Sequence, residues 1–401
     1  MQFKVNTKAE FEEFICHNLN QVNKWIDEEQ EKMLLPLTSS VDVRESKTKF
    51  APVDHNMYPA GFNNLCSKDL VLCSERFKAG ILKVHPTAKK IGLIPESHTK
   101  NKFYLDHLYQ LKTTIENAGF EVTIISPDTQ LFVGSNHIEL ESHSNFQLTI
   151  HQVNLATKTE YDVIVLNHDQ SNPLPVNWSE VLTPVLPSPY VGWYKRQKNH
   201  HFTWYKKIAD KFAENFEIDP DIISARFTTC ENIDFNTKEG LEELGKAVDN
   251  LLKELPEDSH VFVKASQGTY GMGISVVKSG EEIISMNRKV RNKMDVGKNN
   301  LKFTSVLVQE GIETIVKYDD APAEVTIYLV NGRASGGFMR SNPLKGTQAN
   351  LNSQGMIYQK LCLSDVKQDC DHKIKEAVYS TIARLSVLAA SYEMKELMEN
   401  V

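Results

Sequence analysis

Apolar residues near the start of the chain recur at steps of three and four: Phe11, Phe14, Ile15, Leu19, Val22, Trp25 and Ile26. That spacing gathers them on one stripe of an amphipathic helix, which Pro36 stops. Ser39 to Arg44 then reads as a short strand and Phe50 to Asn56 as a second. From about Lys90 the texture becomes α/β. Ile91 to Ile94 is a buried strand, Phe103 to Ala118 a helix ended by Gly119, and Phe120 to Ile125 and Tyr161 to Leu166 are further strands. The last runs into Asn167-His168-Asp169-Gln170, a polar cluster just past a strand's carboxyl end, where open α/β sheets place ligand contacts. The proline-rich stretch Pro173 to Pro189 reads as a linker. Residues 190–255 read as mainly helical and 261–355 as strands joined by glycine-bearing turns. Ile374 to Met398 reads as an amphipathic closing helix.

A chain of 401 residues with 41% hydrophobic positions has the length for two or three domains with real cores. Its formal net charge of −7 argues against a nucleic-acid partner. The basic and aromatic stretch Trp193 to Phe202 is accordingly expected to be a helix with one aromatic face and one solvated basic face. No apolar run is long enough to cross a bilayer, and the acidic N-terminal segment has no secretory h-region. The six cysteines (Cys16, Cys66, Cys73, Cys230, Cys362, Cys370) show no metal-finger spacing. Reduced thiols in a cytoplasmic protein are the expectation.

The strongest local signal is Val261 to Val277. An apolar strand ends in Lys264, a loop carries Ser266, Gln267, Gly268, Thr269, Tyr270, Gly271 and Gly273, and a second apolar strand follows. Glycines let backbone N–H groups approach phosphate oxygens, and a lysine at a strand end supplies a point charge for them. The spacing is neither a Walker loop nor a dinucleotide fingerprint. A plain hairpin with a solvent-facing Lys264 would read the same way. Further on, Ser305 to Val308 leads into Gln309-Glu310-Gly311, an extended segment suited to an adenine edge. A strand then opens with Glu324, a candidate acceptor for ribose hydroxyls, and the next ends at Arg340, placed to face a transferring phosphoryl group. Asn350 and Asn352 lie in a polar, glycine-bearing loop.

This order of elements, covering 261–355, resembles the ATP-grasp fold, in which two antiparallel sheets clamp ATP. The metal strand usual after that block is missing. Val53-Asp54-His55-Asn56, followed by Tyr58-Pro59-Ala60-Gly61-Phe62-Asn63-Asn64, instead resembles the metal strand and substrate loop of D-alanine ligases and glutathione synthetases. Alternate strand residues share a face, so Asp54 and Asn56 are candidates to hold one Mg2+ ion. The competing reading is a turn capped by Asx side chains. The expected fold is thus α/β (α+β): a circularly permuted ATP-grasp, as in eukaryotic glutathione synthetase, with a Rossmann-like substrate domain. The expected boundaries are 1–89 (helix and permuted strands), 90–190 (Rossmann-like), 191–255 (helical) and 256–401 (nucleotide-binding region and closing helix).

Ser39 to Arg44, Ala51 to Asn64, Phe262-Val263-Lys264 with the glycine loop, and Asn350-Leu351-Asn352 together resemble the proteobacterial glutamate–cysteine ligase family. The resemblance implies ATP, Mg2+, L-glutamate and L-cysteine as small-molecule partners and γ-glutamylcysteine, the first intermediate towards glutathione, as product. Lys264 and Arg340 become the expected catalytic residues. Asp42, Arg44, Tyr58, Asn63, Asn64, Asn350 and Asn352 become the expected substrate contacts, Arg44 pairing with a substrate carboxylate. No acid stands beside Lys264 as a further metal ligand; Ser266 and Gln267 occupy that place. The alternatives are another ATP-grasp peptide ligase, such as a glutathione synthetase-like enzyme, and a non-catalytic ATP-binding regulator.

Overall fold

The computed structural model describes residues 4–157, 159–267, 273–295, 305–362 and 374–399. Among them are eight helices: α1 (Lys8–Glu31), α2 (Ser67–Val84), α3 (Lys102–Asn117), α4 (Lys198–Phe216), α5 (Lys238–Lys253), α6 (Gly280–Ile284), α7 (Arg288–Asp295) and α8 (Ile374–Glu399). The first strands are β1 (Thr38–Glu45) and β2 (Phe50–Asn56). One sheet comprises β3 (Lys90–Pro95), β4 (Glu121–Ser126), β5 (His137–Glu141), β6 (Gln147–Gln152), β7 (Val163–Asn167) and β8 (Val185–Leu186). A second comprises β9 (Phe227–Cys230), β10 (Val261–Ala265), β11 (Ile274–Val277) and β12 (Val306–Glu310). The third joins β1 and β2 to β13 (Lys317–Tyr318), β14 (Ala321–Val330), β15 (Arg333–Ser341) and β16 (Ile357–Leu361).

The architecture is mixed α/β. In the first sheet, ordered β5-β6-β4-β3-β7-β8, all pairs are parallel except β5 with β6. Its central strands β3 and β7 are almost wholly apolar and buried, as strands covered on both faces must be. The strand order reverses between β3 and β7, since β4 lies on the other side of β3. The other two sheets are antiparallel. The third runs β16-β15-β14-β1-β2, so the first strands of the chain sit beside strands from its last quarter, with Asp42 opposite both Asp54 and Thr326.

Helix α1 begins in a capping box, Thr7 accepting from the Glu10 amide and Glu10 from the Thr7 amide. It buries Phe11, Ile15, Val22 and Ile26. These pack with α4 and α8 over β1 and β14 in one apolar core. Helix α8 departs from the amphipathic expectation. Val378, Ile382, Ala383, Leu385, Val387, Leu388, Ala389 and Ala390 are all fully buried. A helix apolar on every side belongs inside, here between α1, α4 and the third sheet. Other elements also depart from the sequence reading. The segment expected as a linker supplies β8, which pairs with β7. The segment expected as mainly helical contains β9, which pairs with β12. Cys66, Cys73, Cys230 and Cys362 are free thiols, as expected of reduced cysteines. Cys16 is disulfide-bonded to a partner outside the described residues, contrary to that expectation. No helix among the described residues is long and apolar enough to cross a membrane.

Candidate active site

All three sheets meet at one cleft. A cavity of about 130 Å³ opens towards the carboxyl ends of β3 and β7. A smaller one, about 50 Å³, lies against β10 and β11. Asp42, Asp54, Lys198 and Asn352 line both, which makes them two ends of one site. Lys264 and Ile274, which flank the glycine loop, thus share a wall with Asp54.

At the β10 end the decisive group is Lys264. Its Nζ donates to the carbonyl of Val53 and to Gln309 Oε1, each at 2.7 Å, and both acceptors are neutral. The residue is 6% exposed. Burial, with Lys198 and Arg44 nearby and Asp54 opposing them, brings its ammonium down to about 7. A buried cation held by neutral acceptors is a seat for an anion. Next to it Lys198 pairs with Asp54. Burial alone would raise the Asp54 carboxyl, but the charges of Lys198 and Lys264 outweigh it and hold it at about 2.

The third sheet contributes a buried network of four charges. Glu324 Oε2 accepts from Arg44 Nε and its Oε1 from Arg340 Nη1, both at 2.8 Å. Arg340 Nη1 also reaches Asp42 Oδ2 at 2.9 Å, and Thr326 Oγ1 donates to Asp42 Oδ1 at 2.7 Å. Strand register causes this: Glu324 lies opposite Arg340, and Asp42 opposite Thr326. Burial opposes the Glu324 charge, yet the two guanidinium groups hold its carboxyl below the usual range.

Beneath β2 lies a second buried network. Arg196 donates to Glu393 from Nε at 2.8 Å and from Nη2 at 3.0 Å, and from Nη1 to the carbonyl of His55 at 3.0 Å. His201 Nδ1 lies 3.2 Å from Glu393 Oε2, and Ser386 Oγ sits between the His55 and His201 rings. The carbonyl so held belongs to the residue between Asp54 and Asn56.

The family described as GshA, glutamate-cysteine ligase, matches residues 12–394. The chain belongs to this ligase family. A crystal structure from Methylobacillus flagellatus KT, provisionally named gamma-glutamylcysteine synthetase, is 32% identical, covers 96% of each chain and superposes with a TM-score of 0.87. D-alanyl-alanine synthetase A from Vibrio cholerae is 15% identical over 77% of this chain and 81% of its own, with a TM-score of 0.37. No curated protein sequence matches the chain.

In this ligase the cleft gathers Asp42, Arg44, Asp54, Asn56, Tyr58, Lys264, Glu324, Arg340, Asn350 and Asn352 from the sequence-derived set. Several have engagements the sequence did not foretell. Arg44, expected to pair with a substrate carboxylate, is already bound by Glu324 and by the carbonyls of Ile312 and Ala349. Glu324, expected at a ribose, has both oxygens on guanidinium groups. Asn56 Oδ1 accepts from the Tyr58 amide at 3.0 Å, so the Asx turn forms while the residue still lines the cavity. The amides of Glu310 and Gly311, expected near an adenine edge, are taken by the carbonyls of Arg226 and His260, because β12 is paired on both sides. Gln309 holds Lys264, and the Glu310 carboxylate accepts from Lys49 and the Arg226 amide.

Ser266 is buried against Ser305 at 3.1 Å, and its carbonyl accepts from the Lys198 amide. Gly273 has a φ of +66°, the left-handed region glycine favours. Gly268, Thr269, Tyr270 and Gly271 lie outside the described residues. Asn63 and Asn64 sit in the short turn Phe62–Asn64, whereas the cavity wall there is formed by Tyr58 and Ala60.

Lys198, Glu96, Asp169 and Trp193 also line the cleft. Lys198 overturns the expected solvated face, since Trp193, Arg196, Lys198, Asn199, His201 and Phe202 are all buried. Nothing in the local composition marks this burial; it comes from partners far away in the chain, such as Asp54 for Lys198 and Glu393 for Arg196.

Proposed function

We propose that this ligase joins L-glutamate to L-cysteine through a γ-glutamyl phosphate, consuming ATP with Mg2+ and giving γ-glutamylcysteine, the first step towards glutathione. The observation that carries the ATP assignment is Lys264, a buried ammonium on neutral acceptors at the head of the glycine loop. A phosphate oxygen there would restore its full charge. The architecture we favour is a permuted ATP-grasp. Its support is that β1 and β2 complete the third sheet beside β14, across the cleft from the antiparallel β9–β12 sheet. In that reading 1–89 and 256–401 form the clamp, 90–190 the substrate domain and 191–255 the helical segment.

Phosphoryl transfer asks for positioning and charge neutralisation more than for a protein nucleophile. Lys264 holds the phosphates. Arg340, poised between Asp42 and Glu324, faces the transferring group and then the tetrahedral adduct. The Asp54 carboxylate, ionised and open to the cavity, with Asn56 two residues on, offers the hard oxygen ligands that suit Mg2+. When bound, the ion would neutralise phosphate charge. Lys198 is the group such an ion would have to share Asp54 with or displace. Asn350 and Asn352 contribute neutral polar contacts. We place the enzyme in the cytoplasm, where ATP and both amino acids are supplied.

A screen of purified enzyme for ADP release with single amino acids and pairs tests the assignment. Release that requires glutamate and cysteine together is expected. Release with γ-glutamylcysteine and glycine instead would convert it to a glutathione synthetase-like enzyme, and ATP binding without turnover to a regulator.

A further inference from the structure

Arg44 stands where β14, the exit of β12 and the connection between β15 and β16 meet, and it bonds to each of them. Its Nε donates to Glu324 Oε2 on β14 at 2.8 Å. Its Nη1 donates to the carbonyl of Ile312, just past β12, at 3.3 Å. Its Nη2 donates to the carbonyl of Ala349, in the connection 342–356, at 2.7 Å. The side chain is 4% exposed. A guanidinium is a planar fork of fixed donors, so partners on separate elements fix those elements relative to one another.

The connection 342–356 carries its own internal frame. Asn342, wholly buried, accepts from the Leu344 amide at 3.1 Å and turns Nδ2 to the carbonyls of Leu351, Ser353 and Gln354 at 3.3–3.4 Å. Leu351 is wholly buried as well. That frame shapes the connection without placing its far side over the cleft. Placement comes from two contacts. Thr347 leans on the segment after β12, its carbonyl accepting from the Thr314 amide and its hydroxyl donating to Glu313 at 2.7 Å. Ala349 is held by Arg44, which through Ile312 also holds the segment that Thr347 leans on.

What this placement delivers to the cleft is Asn352. Its backbone amide donates to Asn350 Oδ1 at 3.0 Å, which leaves the side-chain amide to the cavity, and the residue lines both ends of it. A substrate carboxylate has to meet a phosphoryl group held at Lys264 where those two ends join. An amide N–H there is placed to donate to the acyl oxygen as charge develops on it. Charge balance favours the same role for Arg44. Glu324 already answers its charge, and a substrate carboxylate would add a second anion to one buried cation.

We propose that Arg44 is a positioning residue: it pins the 342–356 connection over the cleft and presents the Asn352 amide to the reacting carboxylate, and no substrate carboxylate pairs with it. The catalytic half of this assignment rests on the ligase reading above. The pin itself does not.

Arg44→Lys keeps an ammonium for Glu324 and gives up the fork to Ile312 and Ala349. Hydrogen exchange on the full-length enzyme reads the pin without turnover. Amides of 345–353 should exchange about tenfold or more faster in the variant, with peptides of β3, β4 and β7 unchanged. Unchanged exchange in 345–353, or faster exchange throughout the chain, would overturn the proposal. Steady-state ADP release separates the roles. The variant's kcat should fall about 10- to 100-fold, with KM for each amino acid within about threefold of wild type. Its preference for glutamate over γ-aminobutyrate, and for cysteine over cysteamine, should match that of wild type, since each analogue lacks only the carboxylate that Arg44 would have bound. A preference that collapses in the variant would make Arg44 a carboxylate contact and overturn the assignment. Asn352→Ala should lower kcat comparably. The double variant should stay within about threefold of the slower single, because a pin has nothing to present once the amide is gone. Effects that multiply would overturn it, as would wild-type kcat in Asn352→Ala. Wild-type enzyme silent to glutamate with cysteine would sink the ligase reading instead, and the exchange result would still decide the pin.

Discussion

Replacing Arg196 with methionine is the sharpest probe of how the cleft is held. The guanidinium is 1% exposed and makes two bonds to Glu393, itself 1% exposed, and one to the His55 carbonyl. Methionine keeps most of the volume and removes all three. Stranding one partner of a buried ion pair costs about 3–5 kcal/mol, a large share of the roughly 5–15 kcal/mol that holds a typical domain. Arg196→Met/Glu393→Leu should recover much of the loss, because neither charge is then stranded, with a coupling energy of about 2–3 kcal/mol. The pH dependence follows in sign. In the wild type, burial opposes the Glu393 charge but Arg196 and His201 hold its carboxyl below the usual range. Burial, together with Arg196, keeps the His201 imidazolium disfavoured despite Glu393. Without Arg196 both groups take up a proton more readily in the folded state than before. The stability this supplies is present at low pH and lost as pH rises, so the deficit should shrink from pH 7.5 to 5.5. Urea unfolding followed by tryptophan fluorescence at the two pH values measures it. A single variant within about 1 kcal/mol of wild type, a double variant less stable than the single, or a deficit that grows on acidification would refute the reasoning.

Other outcomes follow from the same charges. Lys264 sits at about 7 in the free enzyme through burial, so its ammonium is lost as pH rises. ATP affinity by calorimetry should fall by up to about tenfold per unit above that value in wild type. It should be weak and flat in Lys264→Met; a pH-independent wild type would remove the role. Arg340→Met should lower turnover by about 100- to 1,000-fold, and near-normal ADP release would take the residue out of the chemistry. Asp54→Asn should raise the Mg2+ concentration for half-maximal rate at least about tenfold, whereas an unchanged requirement would leave Asp54 as the counter-ion of Lys198 alone.

The strands that carry Asp42, Asp54, Lys264, Glu324 and Arg340 were legible because each is a short apolar run with a polar residue at a defined place. The shared face of Asp54 and Asn56 was legible too, from the alternation of strand side chains, and both line the larger cavity. Hidden were the partners. Glu324 and Arg340 look like two independent functional charges in the sequence, yet register sets them opposite each other and ties both into the network with Arg44. Lys198 was hidden for a different reason. Its charge partner is Asp54, 144 positions away, and local composition cannot express a pairing across that distance. The all-round burial of α8 was missed similarly, since its Arg384, Ser386 and Glu393 suggest a wet side that long-range partners cover instead.

The insertion of β1 between β2 and β14 also bears on how the chain is made. Val43 pairs with Val325, so the hairpin of the first two strands leaves the ribosome with one edge bare. Its neighbour follows roughly 280 residues later, about 15–55 s at ordinary rates of synthesis. During that interval an apolar, unpaired edge waits beside α1, open to neighbouring nascent chains. The yield of the enzyme in a cell should therefore respond to translation speed and to chaperones that shield strand edges, even though the finished sheet leaves β1 no free side.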